Sequence, residues 1–475
     1  MQTIQNFGIY CAGEFMSTSL PLTVTNPYDG SLVQVTCMAG EAELERAITA
    51  AQNVADELAI TPSYTRYAIL KQISEELLAQ RGQFAELITL ESGKPIRYAL
   101  AEVDRSIQTF VIAAEESKRL PAEYMSIDWT PAGAGKEGIL KYFPVGLVAG
   151  IAPFNFPLNL AVHKIAPAIA AGCPIIMKPS SLTPLSTLML AQIINNTNLP
   201  KGAVSILPMD RQTGNKLVTD SRINLLSFTG SPEVGWQMKQ NAGNKKVILE
   251  LGGNAGVIIS TGADLEIAVS KCVAGGFSFS GQVCIHTQRI YVLKELFESF
   301  TEKFIEKVSA LNPGNPLDPK TDMSVMIDSA NAIRVENWIN NAVEGGAKIL
   351  TGGKRINSMM QPTVLTGSNE NMQVCAGEVF GPVVVIEPVN SMNEGIKRIN
   401  SGRFGLQAGV FTDSISEMNM AFNNLKVGGV IINDVPTFRV DHMPYGGIKD
   451  SGSGREGVKY AIIDMMEPRL LIKNT

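Results

Sequence analysis

The sequence contains few disulfide-forming and metal-binding residues for its length. Only six cysteines and three histidines occur among 475 residues, and no two cysteines form a CxxC pair. Scattered cysteines argue against a disulfide framework and a zinc site, and they favour a reducing compartment. We therefore expect no bound metal. The cysteines are Cys11, Cys37, Cys173, Cys272, Cys284 and Cys375.

The chain also lacks an excess of charge of one sign. It carries 40 Lys and Arg against 45 Asp and Glu, a formal net charge of −5. This balance provides neither a basic footprint for nucleic acid nor an attraction to an anionic membrane. The length suggests two or three domains. The hydrophobic content of 45% is that of a globular protein.

Long apolar runs free of charge are absent as well. The first segment, MQTIQNFGIYCAGEF, has no basic start followed by an apolar stretch, so it does not resemble a signal peptide. The most apolar long stretch, AVHKIAPAIAAGCPIIM, contains His163, Lys164 and two prolines. It predicts a buried helix-to-strand passage rather than a membrane span. We expect a cytoplasmic protein.

Apolar strands alternating with helices predict an α/β fold with a parallel sheet. The first third is predicted to be helical after Asn26-Pro27, over residues 41–60, 64–92 and 96 to about 120. Strands are then predicted in GLVAGI, CPIIMK, VSILP, INLLSFT and VILEL. A second set, AGVIIS, RIYVL, VVVIEPV, QAGVFT and GGVIIND, indicates a second α/β domain. The final LLIKN has no local partner, and we expect it to pair outside its own domain or with another subunit.

The sequence contains one match to the dinucleotide-binding pattern GxGxxG, at residues 452–457. That motif requires an apolar strand directly before it, so that a glycine turn delivers phosphate to a helix N-terminus. The preceding MPYGGIKDS is loop-like. We therefore interpret residues 452–457 as a glycine-rich loop and not as a phosphate site.

Four polar residues follow predicted strands or glycine-rich turns, where ligands of open α/β sheets bind. They are Asn155, Lys178, Glu250 and Cys284. Five of the six cysteines are interpreted as small buried residues, whereas Cys284 follows the flexible segment FSGQV. Glu250 ends an apolar strand and is either part of an ion pair or a base. Asn155 and Lys178, taken alone, are better explained by structural roles.

Seven segments in order give these residues a common meaning. PFNFPL, MKPSSLTP, FTGSPEVG, LELGGNA, GQVCIHTQRI, GEVFGPV and PYGGIKDSGSGREG closely resemble the aldehyde dehydrogenase superfamily, in its order and spacing, from Phe154 to Gly457. The segment before Phe154 carries no comparable motif. The resemblance implies a Rossmann-type cofactor domain, an α/β catalytic domain and a small β oligomerisation flap.

The resemblance also implies a mechanism. Cys284 would be the nucleophile that forms a thiohemiacetal and then a thioester. Asn155 and the backbone N–H of Cys284 would stabilise the oxyanion, and Glu250 would activate the hydrolytic water. Two alternatives stay open at this point. One is a CoA-acylating aldehyde dehydrogenase, which Glu250 argues against, and the other is a catalytically silent binding or structural relative.

The cofactor implied is NADP or NAD. Phosphate is expected at the helix that begins at Pro232, and Lys178 is expected at the adenosine ribose. NAD-preferring relatives often carry Glu at the position of Ser181, so we predict that NADP is accepted, since a serine does not repel a 2′-phosphate. The expected cofactor residues are Lys178, Ser181, Gly230, Ser231, Gly235, Glu378 and Phe380.

The substrate implied is a small aldehyde. The SGQVCIHTQRI and VPTFRVDHMPYGG segments resemble lactaldehyde and non-phosphorylating glyceraldehyde-3-phosphate dehydrogenase branches. Arg105, Arg439 and Phe156 are candidate substrate contacts, although the arginines are equally well explained as surface or ion-paired residues. Val283 stands where some phosphate-handling relatives carry Arg, which favours lactaldehyde, glyceraldehyde or a short semialdehyde.

We predict four segments from the resemblance. Residues 1–115 and 138–250 would form the cofactor-binding domain and 251–430 the catalytic domain. Residues 116–137 and 461–475 would form the flap, and 431–460 an active-site loop returning to the cofactor domain. The family's assemblies imply a homodimer or a homotetramer.

Overall fold

The computed structural model describes residues 8–474. Residues 1–7 and 475 lie outside the described residues. Residues 1–7 include the start of the segment considered as a signal peptide and of the predicted cofactor domain, and residue 475 ends the predicted flap. The described helices are α1 (Glu41–Ile60), α2 (Ser63–Ala79), α3 (Arg81–Ser92), α4 (Ile96–Ser117), α5 (Asn159–Ala171), α6 (Leu185–Asn195), α7 (Arg211–Thr219), α8 (Pro232–Asn241), α9 (Leu265–Phe277), α10 (Lys294–Ser309), α11 (Ser329–Glu344), α12 (Gln373–Ala376), α13 (Met392–Ser401), α14 (Ile415–Asn424) and α15 (Val458–Asp464).

The strands form two large sheets and four small ones. They are β1 (Ile9–Cys11), β2 (Glu14–Met16), β3 (Pro21–Thr25), β4 (Leu32–Cys37), β5 (Ala122–Ser126), β6 (Lys136–Pro144), β7 (Val148–Ile151), β8 (Ile175–Lys178), β9 (Val204–Ile206), β10 (Leu225–Thr229), β11 (Lys246–Glu250), β12 (Ala255–Ile259), β13 (Thr287–Leu293), β14 (Lys348–Thr351), β15 (Arg355–Ile356), β16 (Met359–Met360), β17 (Thr363–Thr366), β18 (Val383–Val389), β19 (Phe404–Gly405), β20 (Gln407–Phe411), β21 (Gly429–Ile432), β22 (Ile448–Lys449), β23 (Gly452–Ser453) and β24 (Met466–Asn474).

The first large sheet confirms the predicted parallel α/β arrangement. Its strand order is β2-β1-β9-β8-β7-β10-β11-β23, and the central strands β9, β8, β7, β10 and β11 run parallel. Every residue of α5 is buried, including His163 and Lys164, as expected for a mostly apolar helix that crosses the interior. Parallel order places the carboxyl ends of β7, β10 and β11 side by side, where Asn155 and Glu250 follow or end a strand.

The second large sheet, with order β14-β17-β18-β13-β12-β20-β21, is parallel except for β14. Its central strands β12, β13, β18 and β20 are almost wholly buried, as expected for strands covered on both faces. The predicted second set of strands is therefore present.

The last strand pairs with a distant part of the same chain. LLIKN lies in β24, which pairs along nine residues with β6 of the same chain, and β6 pairs with β5. Its partner is distant in sequence, which is why the local pattern did not reveal it. The predicted segment boundary at residue 138 falls within β6, which continues to Pro144 in this three-stranded sheet.

The N-terminal third contains a correction. The segment after Asn26-Pro27 is not helical at once, because β3 and β4 form an antiparallel hairpin around that turn. The predicted helix over 64–92 is two helices, α2 and α3, that meet at Gln80. Gly93 adopts a left-handed φ of +71° at the end of α3, a conformation that glycine adopts without strain and that commonly ends a helix.

The other structural expectations concern membranes and metals. Within residues 8–474, no helix is long and apolar enough to cross a membrane. The same residues contain no cluster of three or more His, Cys, Asp or Glu side chains arranged to hold a metal ion.

Candidate active site

A cavity of about 550 Å³ opens at the carboxyl ends of β7, β10 and β11 and extends beside α8 and α11. It is lined by seven predicted site residues: Asn155, Gly230, Ser231, Glu250, Cys284, Glu378 and Phe380. Six predicted residues lie outside that lining: Arg105, Phe156, Lys178, Ser181, Gly235 and Arg439. The structure thus brings together, from distant parts of the chain, all three residues predicted to carry the chemistry.

Cys284 is placed by an unusual loop. After α9, Phe279 and Ser280 adopt left-handed φ values of 48° and 54°, and Gly281 follows at 67°. Cys284 is the one cysteine of the six that is only partly buried; the other five are buried, as predicted. Its Sγ lies 3.2 Å from the Tyr445 hydroxyl. Burial raises the pKa of the Cys284 thiol to about 11, although the Tyr445 hydroxyl opposes the rise. The resting sulfur is therefore a thiol whose proton must be accepted when it attacks.

Asn155 is held against the same loop. Its Nδ2 donates to the Gln282 carbonyl at 2.9 Å, and the residue is buried. An amide nitrogen carries two hydrogens, so this bond leaves one N–H for another acceptor. Because Asn155 and Cys284 line one cavity, an oxygen bound there can accept from that second N–H.

Glu250 is buried, and neither carboxyl oxygen has a hydrogen-bond partner within the described residues. Burial raises its pKa well above the ordinary value, the Glu456 carboxylate raises it further, and Arg439 and Lys164 oppose the rise. One oxygen lies against Gly446, where a Cβ would be 2.9 Å from it. A buried carboxyl with free lone pairs and a raised pKa is suited to accept a proton from water or a thiol.

A buried ionic cluster lies behind Glu250. The Glu456 carboxylate accepts from Lys164 Nζ at 3.2 Å and from Arg439 Nη2 at 2.9 Å. Burial alone would raise the pKa of Glu456, but Lys164 and Arg439 hold it well below its usual range. The Arg439 guanidinium lies 3.8 Å from the Tyr445 ring centroid, and its Nε has no hydrogen-bond partner. This stacking connects Arg439 to Cys284 through Tyr445.

Arg105 reaches the same cluster through Asp441. The Asp441 carboxylate accepts from Arg105 Nη2 at 2.6 Å, contacts His163 Nε2 at 2.8 Å and lies 4.0 Å from Arg439 Nε. Burial lowers the pKa of His163, so its ring is neutral at neutral pH. Both predicted substrate arginines are thus ion-paired, as one of the two interpretations held, and they meet at one carboxylate.

The other half of the cavity surrounds the N-terminus of α8. Ser231 caps this helix, accepting from the Val234 N–H at 3.5 Å, and Pro232 is its first residue, as predicted. At Gly230 a Cβ would press on the Phe228 ring. Gly235, in the first turn of α8, packs against Leu251 and does not reach the cavity. Exposed N–H groups and the helix dipole make such an N-terminus suited to a phosphate.

Glu378 lies across from α8. It accepts from the Gly253 N–H at 3.0 Å, and a Cβ at Gly252 would overlap its carboxylate. Burial raises its pKa to about 8. Phe380, with a left-handed φ of 46°, packs edge-to-face on Phe154 with 5.9 Å between ring centroids. A carboxyl, an aromatic face and a phosphate-type helix end in one cleft fit a nicotinamide dinucleotide.

Lys178 and Ser181 lie further along the sheet edge. Lys178 ends β8, and burial lowers its pKa while Asp210 opposes the shift. Its side chain passes over Gly214 of α7, where a Cβ would be 3.2 Å from Cε. Ser181 is half-exposed in the following turn. Both lie beyond the cavity lining.

Several lining residues were not predicted from the sequence. Asn331, Arg334 and Trp338 all come from α11, with the Arg334 guanidinium 5.1 Å from the Trp338 ring. Their spacing, on one face of an amphipathic helix, was an available signal that pointed only to a helix. Tyr445 lies in the quoted PYGG segment, but nothing in the sequence places it at Cys284.

Comparison with known proteins agrees with this geometry. The sequence profile described as the aldehyde dehydrogenase family matches residues 15–471. The chain is 41% identical to a 3-sulfolactaldehyde dehydrogenase of Priestia aryabhattai, covering 99% of this chain and 98% of that one. It is 42% identical to a lactaldehyde dehydrogenase of Methanococcus aeolicus, covering 98% and 100%.

Solved structures give the same result. Aldehyde dehydrogenase 21 of Physcomitrella patens, in complex with the reaction product succinate, superposes with a TM-score of 0.98 at 42% identity, covering 99% of both chains. Glyceraldehyde-3-phosphate dehydrogenase GapN of Methanocaldococcus jannaschii, complexed with NADP, superposes with a TM-score of 0.92 at 38% identity, covering 96% and 99%. This chain belongs to the aldehyde dehydrogenase family.

Proposed function

We propose that this enzyme oxidises a short aldehyde to the carboxylic acid with NAD(P), using Cys284 as its covalent nucleophile. The observation that carries the proposal is the meeting of Cys284, Asn155 and the unpartnered carboxyl of Glu250 in one cavity. A thiol, an amide donor and a free buried carboxyl are the three groups that acyl chemistry at a cysteine requires.

The first bond forms between Cys284 Sγ and the aldehyde carbon. The thiol proton leaves to a base, for which Glu250 is the candidate, and the carbonyl electron pair moves onto oxygen. The free N–H of Asn155 and the backbone N–H of Cys284 donate to that oxyanion. Such donors act most strongly in a site from which water is excluded.

NAD(P) fits between the α8 N-terminus and Glu378. Ser231 and the first N–H groups of α8 would hold the phosphates, and Glu378 and Phe380 would hold the nicotinamide end. When bound, the cofactor accepts the hydride from the carbon attached to Cys284. The oxyanion then re-forms a carbonyl, which leaves a thioester on Cys284.

Hydrolysis of that thioester is assigned to Glu250. Once Glu250 has released the thiol proton to solvent, its carboxylate takes a proton from water, the hydroxyl adds to the thioester carbon, and the carbon–sulfur bond breaks to release the acid and the Cys284 thiolate, which takes the proton back from Glu250. A CoA-acylating enzyme would have no need of a buried base at this position. The unpartnered carboxyl of Glu250 therefore favours water over CoA, and an intact site argues against a silent relative.

The substrate class follows from charge. Near Tyr445 the ionic cluster contains three cations (Lys164, Arg105 and Arg439) against two carboxylates (Asp441 and Glu456), with His163 neutral. The buried cations of this cluster and the Nε of Arg439, which has no hydrogen-bond partner, favour an aldehyde with an acidic or strongly polar end. Lactaldehyde, glyceraldehyde and short semialdehydes meet this requirement, and the similarity to lactaldehyde and 3-sulfolactaldehyde dehydrogenases supports it.

Further proposals concern the cofactor, the assembly and the location. Ser181 leaves room for a 2′-phosphate, and a relative crystallised with NADP supports acceptance of NADP. A homodimer or homotetramer is proposed through the flap, because Leu470, Leu471 and Ile472 of β24 are about half exposed. A cytoplasmic location suits a nucleophilic thiol that must stay reduced.

The direct test follows NAD(P) reduction by absorbance with a panel of short aldehydes. The wild-type protein and Cys37→Ala, which alters a buried cysteine of β4 outside the cavity lining, are expected to reduce the cofactor. Cys284→Ala is expected to be inactive. Turnover by Cys284→Ala, or a strong preference for long or aromatic aldehydes, contradicts the proposal.

A further inference from the structure

Three charged side chains between α3 and α4 are fully buried and have no part in the chemistry above. Glu91, Lys94 and Glu102 are 0%, 0% and 1% exposed. A buried charge is costly unless it is paired and hydrogen-bonded. The contacts of these three side chains therefore show what the fold gains from holding them there.

Glu102 is attached to the segment that carries Asn155. Its Oε1 accepts from the N–H groups of Leu158 and Asn159 at 3.0 and 3.1 Å. These are the first donors of α5, which have no partner within their own helix. Because Leu158 lies three residues after Asn155, Glu102 anchors one end of the turn on which the Asn155 amide sits.

Lys94 is attached to both active-site loops. Its Nζ forms an ion pair with Glu102 Oε2. The same ammonium lies 3.8 Å from the ring centroid of Phe156 and 4.5 Å from that of Phe279, and the two rings pack edge-to-face. A cation over an aromatic face is attracted more strongly when it is removed from water. Phe156 follows Asn155 directly, and Phe279 opens the left-handed loop that leads to Cys284.

The loop that Lys94 contacts is strained. Left-handed φ values at Phe279 and Ser280 cost energy and persist only where the surroundings fix them. We propose that Lys94 and Glu102 are positioning residues that set the separation of the Asn155 amide from Cys284 Sγ, and through it the oxyanion site. This inference rests on the proposed roles of Asn155 and Cys284.

Glu91 offers a matched control. It is equally buried, and it accepts from the N–H groups of Leu185 and Ser186 at 2.7 and 3.1 Å, so it caps α6 as Glu102 caps α5. Its carboxylate forms no hydrogen bond with the loop of Asn155 or with the loop of Cys284. Glu91→Gln is therefore expected to weaken a helix cap without changing kcat.

The test is the double variant Lys94→Met/Glu102→Gln. Both members of the Lys94–Glu102 ion pair are removed together, so neither is left without the other, and glutamine retains an oxygen for the N–H groups of α5. We expect kcat to fall by about 10- to 100-fold, the scale of a small misplacement at a reacting centre, with KM changed by less than about twofold. In an Asn155→Ala background the same pair of substitutions should cause no further fall, because the group that it positions is gone.

Three outcomes overturn the inference. The first is a kcat of the double variant within about twofold of wild type. The second is that the double variant lowers kcat by the same factor in the Asn155→Ala background, and the third is that Glu91→Gln lowers kcat as much as the double variant does. If the double variant does not fold, Phe279→Leu serves instead, since it keeps both charges and removes one ring. Its smaller fall in kcat must likewise vanish with Asn155→Ala. Failure of the proposed function itself is recognised separately, because Cys284→Ala or Asn155→Ala would then turn over as fast as wild type.

Discussion

Arg439 provides the sharpest test of the substrate class. Its Nη2 donates to Glu456, and its buried Nε–H lies 4.0 Å from Asp441 Oδ1 without a hydrogen bond; we propose that this N–H donates a charge-assisted bond to an anionic substrate when one is bound. A hydrogen bond to a charged group contributes about 1.5–3 kcal/mol. Since about 1.4 kcal/mol corresponds to a factor of ten, Arg439→Met should lower kcat/KM for an acidic aldehyde by about 10- to 150-fold.

The assay compares a short semialdehyde with a neutral aldehyde of the same length, each at saturating cofactor. The ratio of the two kcat/KM values isolates the anion, because any damage to Tyr445 or Cys284 slows both substrates alike. Arg66→Met is the matched control, since Arg66 is also buried with an unpartnered Nε but lies outside the site. If Arg439→Met is folded and leaves the ratio of the two kcat/KM values unchanged, Arg439 does not recognise the anion. If kcat/KM falls equally for both aldehydes, Arg439 acts on Cys284 rather than on the substrate.

Three other substitutions test the remaining roles. Asn155→Ala should lower kcat by about 10²–10³ with little change in KM, and steady-state kinetics within tenfold of wild type would exclude it as an oxyanion donor. The rate of thioester hydrolysis by the wild-type enzyme should rise with pH through the raised pKa of Glu250, because the base acts when it is deprotonated. Glu250→Gln should give a single burst of NAD(P)H and lose this pH dependence. Undiminished turnover by Glu250→Gln would exclude Glu250 as the base. Ser181→Glu should lower kcat/KM for NADP relative to NAD by at least about fivefold, which corresponds to the ~1 kcal/mol repulsion between two unit charges 4 Å apart in water. The same NADP-to-NAD ratio in the wild type and the variant would show that Ser181 lies away from the 2′-phosphate.

The sequence predicted those parts of the fold whose signal is local. Ten strands of the two large sheets were recognisable as short apolar runs, whereas β17 was missed, and the helix at Pro232 was recognisable by its Ser-Pro start. The hairpin of β3 and β4 was missed, although apolar and polar residues alternate in LVQVTC after the turn residues Asp29-Gly30. The stronger helical periodicity that begins soon afterwards was extended back over this segment. The partner of β24 lies in β6, more than 300 residues earlier, and no local pattern contains it.

The same division holds for the site. Asn155, Glu250 and Cys284 were predicted because each occurs in a distinctive segment near a strand end. Tyr445 and Glu456 were not, because their importance comes only from contacts with side chains far away in sequence. The two arginines illustrate the limit, since sequence alone left open whether they were ion-paired or faced the substrate, and the structure shows pairing that still leaves one donor of Arg439 free.

The short strand β23 has a consequence for synthesis of the chain. It covers the edge of β11, pairing Gly452 with Glu250 itself, and it comes about 200 residues later. At 5–20 residues per second, a ribosome takes roughly 10–40 s to make that stretch. During this interval the cofactor sheet of the nascent protein presents an uncovered edge at the future catalytic base. Slowed translation or premature termination between residues 251 and 451 would therefore yield a chain that is inactive and prone to edge-to-edge association, although it already contains the nucleophile once residue 284 has been added.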